Sequence, residues 1–468
     1  SDLSSDRNRS QTAPAGALLY MRGHPLDFDG WAQAPGMGHW RYADCLPYFR
    51  AGESYDRGGD AYRGSDGPLG VTRGDYQNPL FDAFLAAGEE AGQGRSDDLN
   101  GFNPEGVARL DATKRFGRRC SAAVAHLRPA LKRGNVTLIT RAMVQRIVIS
   151  NGRAEAVIYR HRGQEKRAEA GEVLLSGGAI NSPQTLMLSG IGPPDHLAEH
   201  GIDVTVPLTG VGRNLMDHAS IILQFRSLRE FPIHRVGHPL RKLAAGVQWV
   251  FTRGGVAASN IWEAGGLIRG NDAAAYPNLQ YHMGPVGFEY TDTKITLMQA
   301  FAIHVDQLRP RSRGCLTLHS ADPADHPHLE FDYLSDPSDL RELVEGVHKA
   351  RDLAAQPAFD GLRGAEMIPG AAMRTDAEIT AWIRSEVTTD FHPCGTCRMG
   401  LEDSAVVDPE FRVHGVAGLR VVDASVMPMI TSANLNAPTQ MMAARAADFI
   451  AGHPQKAAEA TAFAFETQ

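Results

Sequence analysis

The spacing of apolar residues alternates along the chain between a helical and an extended period, which predicts a mixture of helices and strands. Residues 79–92 carry apolar side chains at helical spacing and end in glycine, so we expect a helix there. Residues 135–149 form two β-rich runs around a polar joint and precede the turn Ser150-Asn151-Gly152, which predicts strands. This part of the chain is therefore predicted to be α/β.

A strand, a glycine turn and a helix are predicted to follow one another after residue 171. Residues 172–175 (EVLL) form a short, mainly apolar run and lead into Ser176-Gly177-Gly178-Ala179. Asn181 is a helix-capping residue type and Pro183 suits a first helical turn, so we expect the helix to begin there. Such a unit presents backbone N–H groups to a bound phosphate or ring, although any α/β protein contains several of them.

The middle third of the chain has a different pattern, in which strand-like runs alternate with charged helical stretches such as residues 339–353. This pattern predicts an antiparallel sheet packed with helices, and hence a second domain. The end of the chain returns to α/β, with a buried strand at residues 419–423 and a helix at residues 437–450. The strand-like runs of the middle third are residues 220–225, 278–282, 299–304 and 314–319.

Composition excludes several classes of protein. The 468 residues suffice for two or three domains, and a net charge of −7 gives the whole surface no attraction for nucleic acid. No run reaches the roughly 18–20 apolar residues of a membrane helix. Five scattered cysteines argue against a disulfide scaffold. We expect a globular protein with no nucleic-acid partner and no integral membrane segment.

Two common motifs for cofactors and metals are absent or incomplete. No G-x-G-x-x-G occurs, and the nearest pieces, Gly190-Ile191-Gly192 and Gly210-Val211-Gly212, lack the third glycine. Cys394 and Cys397 form a C-x-x-C pair, but no second pair completes four ligands. No metal site is therefore predicted.

One histidine and one polar cluster suggest catalysis. His392 precedes Pro393, which favours an extended backbone at the histidine, and imidazole is the side chain best suited to take a proton near neutral pH. The cluster Thr431-Ser432-Ala433-Asn434-Leu435-Asn436 directly precedes an apolar helix. Helix capping explains one asparagine there but not obviously two.

Five blocks of sequence, in order and spacing, resemble the glucose–methanol–choline (GMC) oxidoreductase family, and within it the choline dehydrogenases. The resemblance covers about residues 16–452. The blocks are residues 20–31, 176–192 (SGGAINSPQTLMLSGIG), 210–218 (GVGRNLMDH), 391–400 (FHPCGTCRMG) and 406–442.

The resemblance implies two domains, neither continuous in sequence. The first is an α/β flavin-binding domain, and the second is an α+β substrate domain with an antiparallel sheet. The implied FAD-binding segments are residues 15–45, 110–220 and 395–452, the substrate-binding segments are mainly 46–109 and 221–394, and the tails are 1–14 and 453–468.

The resemblance also implies the chemistry, which is FAD-dependent oxidation of a primary alcohol by hydride transfer to flavin N5, with choline as the first candidate substrate. His392 is implied as general base and alkoxide stabiliser, and Asn436 as its partner. The other implied site residues are Val144, Asp423, Ala424 and Ala437 for the cofactor, and Glu263, Phe301 and Phe391 for the substrate.

One departure from the family pattern leaves alternatives open. Family members begin with a strand and the G-x-G-x-x-G turn, whereas residues 1–14 match nothing in the pattern, and Gly16-Ala17 stand where Asn-Gly is expected. The alternatives are a family enzyme for another primary alcohol, or a truncated, cofactor-free remnant without activity. The implied electron acceptor is a quinone or respiratory carrier, with oxygen as the alternative. The expected location is cytoplasmic, with peripheral binding to the inner membrane as a further possibility.

Overall fold

The computed structural model describes residues 18–231, 233, 238–291 and 294–466, so the predicted tail 1–14 and Gly16-Ala17 lie outside it. The α-helices are α1 (Pro25–Trp31), α2 (Tyr42–Gly52), α3 (Pro79–Glu90), α4 (Arg128–Lys132), α5 (Gly178–Leu188), α6 (Pro194–Glu199), α7 (Pro239–Thr252), α8 (Pro337–Ala355), α9 (Asp376–Glu386) and α10 (Asn436–Ala451).

The strands of the first half are β1 (Glu53–Tyr55), β2 (Leu69–Arg73), β3 (Gly106–Arg109), β4 (Asp111–Ala112), β5 (Lys114–Arg115), β6 (Arg118–Arg119), β7 (Ala142–Ser150), β8 (Arg153–His161), β9 (Gln164–Glu169), β10 (Val173–Leu175), β11 (Ile191–Gly192), β12 (Val206–Pro207) and β13 (Ala219–Ser227). Those of the second half are β14 (Ala264–Ile268), β15 (Leu279–Gly284), β16 (Gly287–Thr291), β17 (Lys294–Met298), β18 (Ala300–Gln307), β19 (Cys315–Thr317), β20 (His328–Glu330), β21 (Arg363–Ile368), β22 (Thr388–Thr389) and β23 (Leu419–Val421).

Most of the predicted elements are confirmed, and α3 shows why. Pro79 occupies its first turn, and the Asn78 side chain accepts a hydrogen bond from the backbone N–H of Leu80. The strand predicted over residues 135–149 is only half right, since β7 begins at Ala142. Residues 135–141 are exposed and belong to no strand.

Helix α5 begins three residues earlier than Asn181 because its start is stabilised by tertiary contacts. The Asp423 carboxylate accepts a hydrogen bond from the N–H of Gly178, and the Ser182 hydroxyl accepts one from Gly177. Pro183 lies inside the helix and cannot donate to the carbonyl four residues earlier. The Thr396 hydroxyl donates to that carbonyl, on Ala179, instead.

The largest sheet is antiparallel, in the order β21-β13-β18-β15-β14-β3, with β22 also paired to β13. Its two faces differ because neighbouring residues of a strand point to opposite sides. On β18, Phe301, Ile303 and Val305 join the apolar core beneath α3, α8 and α9. His304 and Asp306 therefore lie on the other face. The predicted antiparallel substrate-domain sheet is confirmed.

A short parallel pair, β10 and β23, joins distant parts of the chain, with Val173 opposite Leu419. One buried apolar cluster unites α1, α2, α5, β23 and α10, and another unites α3, α8, α9 and the large sheet. The structure is thus the predicted α/β plus α+β class, while the domain boundaries stay a prediction. Among the described residues, no helix combines the length and apolarity needed to cross a bilayer.

Phe301 is a core residue and does not line the site, which corrects the sequence-based expectation. Its ring is fully buried and stacks on Phe225 at 5.3 Å and on Phe359 at 5.1 Å, measured between ring centroids. Those contacts lie on the helix-covered face of the sheet. The strand alternation that buries Phe301 turns it away from the polar face.

We expect Phe301→Ala to lower the free energy of unfolding by about 3–5 kcal/mol, because it leaves a cavity in a packed aromatic stack. Denaturant unfolding followed by fluorescence measures the change, with the exposed Phe102→Ala as the matched control, which should change little. Equal, small effects for both variants would contradict the core assignment.

Candidate active site

His392 is placed by the turn that follows β22. Phe391 has a left-handed backbone (φ 61°), unusual for a bulky residue, and its side chain is 61% exposed. The backbone N–H of His392 donates to the Asp217 carboxylate at 2.8 Å, and the hydroxyls of Thr389 and Tyr333 donate to the same carboxylate. Burial raises the pKa of Asp217 to about 6, although these hydrogen bonds oppose the rise.

The ring of His392 is surrounded by polar groups. Its Nδ1 lies 3.1 Å from Oδ2 of Asp390 and 3.0 Å from Nδ1 of His218, and its Nε2 lies 3.0 Å from Nδ2 of Asn434. Burial alone would lower the pKa of His392, but the charge and hydrogen bond of Asp390 outweigh burial and raise it. The His392 imidazolium, in turn, holds the pKa of Asp390 well below its usual range in spite of burial.

These partners select one tautomer of His392. His218 Nε2 faces the carbonyl oxygen of Leu308 at 3.1 Å and must donate to it. Burial, with the nearby His392, lowers the pKa of His218 to about 3, so its ring is neutral and its Nδ1 can only accept. When His392 is neutral, it therefore carries its single proton on Nδ1, which leaves the lone pair of Nε2 facing the Asn434 amide.

A second histidine–carboxylate pair extends the site on the polar face of the large sheet. His282 Nδ1 lies 3.0 Å from Oδ2 of Asp306, and this carboxylate overcomes burial to raise the pKa of His282 to about 9. Ligand atoms of His282, Asp306 and Asp390 lie within 4.8 Å of one another, as do those of His218, Asp390 and His392. Either trio could hold a metal ion, so the prediction of no metal site stays a prediction.

Asn434, and not Asn436, contacts the catalytic candidate. Asn436 is the first residue of α10, and its Oδ1 accepts a hydrogen bond from Gln440 at 2.7 Å. Asn434 lies in the turn before the helix, where its amide reaches the His392 ring. Sequence spacing could not distinguish the two because the choice depends on where the helix begins. The predicted role of Asn436 stays a prediction.

Of the residues predicted for FAD, Asp423 and Ala424 lie just after β23, and Ala437 lies in the first turn of α10. No side chain caps α10, and Ala437 is buried in its first turn, so the positive end of the helix dipole suits the electron-rich pyrimidine edge of a flavin. Asp423 caps the turn at Ala424 and also accepts from Ser182. At its ring end, the site therefore fits a flavin. Val144 lies on β7 with its side chain exposed.

Glu263 is buried beside the first residue of β14, with a partner of its own. Its carboxylate accepts a hydrogen bond from the N–H of Tyr76 at 2.6 Å and lies 3.7 Å from Nζ of Lys114. The neighbouring Trp262 packs edge-on against His304, 4.7 Å between ring centroids, on the polar face of the sheet. Glu263 therefore follows a residue of the polar face, whereas Phe301 lies on the opposite face of the sheet.

Several residues of the site were not assigned from sequence. Two signals could have found some of them: Asp390 stands two residues before His392, and polar residues alternate with apolar ones on β15 and β18. Cys394 and Cys397 are buried free thiols, and burial raises the pKa of both. The residues missed are Asp217, His218, His282, Asp306, Asp390 and Asn434.

Comparison with known families and proteins agrees with this site. Two family models, both described as GMC oxidoreductase, match residues 16–220 and 310–443. The chain is 44% identical over 438 residues to an oxygen-dependent choline dehydrogenase of Paraburkholderia phymatum, covering 93% of this chain and 77% of that protein. It is 43% identical over 440 residues to the protein of the same name from Staphylococcus xylosus, covering 93% and 79%.

Solved structures show the same fold. A pyridoxine 4-oxidase from Mesorbium loti superposes with a TM-score of 0.84 at 29% identity, covering 94% of this chain and 83% of that one. A formate oxidase superposes with a TM-score of 0.86 at 25% identity and the same coverage. Fold and site thus define an FAD-dependent alcohol dehydrogenase, as predicted. The chain belongs to the GMC oxidoreductase family.

We expect Asp390→Asn to lower the pKa of His392, because the variant removes the negative charge that stabilises the imidazolium. NMR titration of the chain labelled with ¹⁵N-histidine, with the resonance identified by its loss in His392→Gln, measures the shift. Asp376→Asn alters the exposed partner of His348 and is the matched control. It should leave the pKa of His392 unchanged.

The raised pKa of His392 also makes the free energy of unfolding depend on pH. Because the folded pKa of His392 is raised, its contribution is full below the unfolded pKa and is lost as pH rises through the folded value. An unchanged pKa of His392 in the Asp390→Asn variant would contradict the conclusion that Asp390 is the main group that raises this pKa.

Proposed function

We propose that the protein oxidises a primary alcohol to the aldehyde, that choline is its substrate, and that His392 is the general base. The observation that carries the proposal is a buried histidine whose Nδ1 lies against Asp390 and His218, so that in the neutral ring the lone pair belongs to Nε2. A base in this arrangement has one free lone pair in a defined direction. General bases act through such a lone pair within hydrogen-bond reach of the substrate proton.

Bound FAD supplies the hydride acceptor at N5. The remaining chemistry belongs to the chain, where Nε2 of His392 takes the hydroxyl proton as the carbon–hydrogen bond weakens. Asp390 stabilises the imidazolium that forms, because the two charges meet at 3.1 Å away from water. The amide nitrogen of Asn434, already 3.0 Å from Nε2, donates to the oxygen as negative charge develops on it.

The assignment of choline rests on the relatives and on Glu263. The relatives that match at 43–44% identity over 93% of this chain are named choline dehydrogenases. A quaternary ammonium cannot donate a hydrogen bond and is best held by a carboxylate and aromatic faces. In this proposal Glu263 provides the carboxylate and Phe391 an aromatic face, while Lys114 offsets part of the Glu263 charge.

The finer predictions on the electron acceptor and location are part of this proposal. The proposed electron acceptor is a quinone or respiratory carrier, with oxygen as the alternative, and the proposed location is the cytoplasm, with peripheral binding to the inner membrane as the alternative. A cofactor-free remnant and an enzyme for another primary alcohol are the competing functions, and the measurements below distinguish them.

We expect purified protein to contain or take up FAD, and His392→Ala to lower kcat/KM per bound flavin by ~10²–10⁴-fold, the usual loss for a general base. Flavin absorbance gives the cofactor content and steady-state kinetics the rate. A colourless protein that cannot be reconstituted would favour the remnant, and an unchanged rate in flavin-loaded His392→Ala would exclude His392 as the base.

The two asparagines form a matched pair in the same experiment. A loss of about 10²-fold in Asn434→Ala, with a smaller one in Asn436→Ala, places the alkoxide at Asn434. The reverse order places it at Asn436, as the family resemblance implies.

We expect Glu263→Gln to raise KM for choline about tenfold. KM for 3,3-dimethylbutan-1-ol, which has the same shape without the charge, should change little. Glu366→Gln, which alters a half-buried carboxylate paired with Arg351, is the control for a general effect on the fold. Equal changes for both substrates, or a preference of the unaltered protein for the neutral alcohol, would exclude choline.

A further inference from the structure

Helix α7 has its apolar face turned away from the protein. At 3.6 residues per turn, its large aliphatic and aromatic side chains form one stripe, and Trp249 lies on the opposite side of the helix. Trp249 is the side chain that faces the protein, since its Nε1 donates to the carbonyl of Gly117 at 2.8 Å. The stripe consists of Leu240, Leu243, Val247, Val250 and Phe251, all exposed, with Leu240 at 72% and Phe251 at 83%.

A hairpin beside α7 adds a further exposed aromatic ring. Strands β5 and β6 are joined by Phe116-Gly117, both with positive φ, and Phe116 is 83% exposed at the tip. The hairpin lies directly against α7, because a Cβ on Gly117 would come within 2.0 Å of the Arg253 carbonyl oxygen. The Arg118 guanidinium also lies 5.5 Å from the Trp249 ring. The stripe and the hairpin tip therefore form one surface, called here the α7 surface.

The charges on this surface have a single sign. Residues 113–122 and 239–259 contain no aspartate or glutamate, although the whole chain has a net charge of −7. Lys114 is buried against Glu263 and does not contribute. The cations of α7, its C-terminal end and the hairpin are Arg115, Arg118, Arg241, Lys242 and Arg253, and Arg241 and Lys242 are exposed on the polar side of the helix.

We propose that the α7 surface docks onto a membrane that contains anionic phospholipid. A basic helix with an exposed apolar stripe is suited to lie in the plane of the interface, with its apolar face among the acyl chains and its cations at the phosphates. An apolar face of this kind in contact with water is unfavourable and indicates an occupant. A second copy of the same surface fits less well, because it would bring cations against cations.

The proposal does not depend on the reaction, and the test uses the full chain without substrate. In vesicle flotation, we expect binding to vesicles of phosphatidylglycerol and phosphatidylcholine in equal parts to be about tenfold or more tighter than to phosphatidylcholine alone. Binding should also weaken as sodium chloride is raised, because salt screens the attraction.

Two pairs of variants separate the apolar and the charged contributions. Leu243→Gln with Phe251→Gln should weaken binding about tenfold or more, whereas Leu228→Gln with Leu401→Gln, two exposed leucines elsewhere, should not. Arg241→Glu with Lys242→Glu should abolish the preference for anionic vesicles, whereas Arg162→Glu with Lys166→Glu on the β8–β9 hairpin should leave it unchanged. Circular dichroism checks that each variant is folded.

Three results would overturn the proposal. These are no flotation of the unaltered chain, equal binding to both vesicle types, or equal effects of the test and control variants. Sedimentation velocity without lipid provides the remaining outcome: if the α7 substitutions only convert an oligomer to monomers, the occupant is a second copy of the chain, and the membrane assignment is wrong.

Discussion

The site depends on the contact between Asp390 and His392. A buried carboxylate and a buried imidazole can both be charged only when the attraction between them compensates for the loss of water around each. Burial opposes the charged form of both groups, and at 3.1 Å their attraction exceeds that penalty. In the neutral form of His392, Asp390 and His218 keep its one proton on Nδ1. The steps proposed for Nε2 depend on this arrangement.

The large sheet makes such a contact possible by separating two environments across a single layer. Residues of β15 and β18 alternate between an apolar face, packed beneath helices, and a polar face that presents His282 and Asp306 to the site. The packed face gives the strands a fixed position, and the polar face inherits that rigidity. The strands thereby hold His282 and Asp306 in fixed positions, whereas His392 and Asn434 are placed by turns.

At the part of the site predicted for FAD, a single buried carboxylate connects segments that are far apart in the sequence. Asp423, after β23, accepts hydrogen bonds from Gly178 and Ser182 at the start of α5. This one carboxylate joins parts of the chain about 240 residues apart and explains why α5 starts where it does. In contrast to these inward-facing polar groups, α7 turns its apolar residues outward, so its position cannot be a result of core burial.

Sequence alone determined the class, most helices and strands and the family, and it singled out His392 as the candidate base, because periodicity and short motifs are local properties. It could not decide between Asn434 and Asn436, because the residue at which α10 begins determines which of the two amides reaches His392. It also placed Phe301 in the site, whereas strand alternation puts that ring in the core. Asp306 acquired its role only in the tertiary structure, because its partner His282 lies on another strand of the sheet, whereas Asp390 stands two residues from its partner His392.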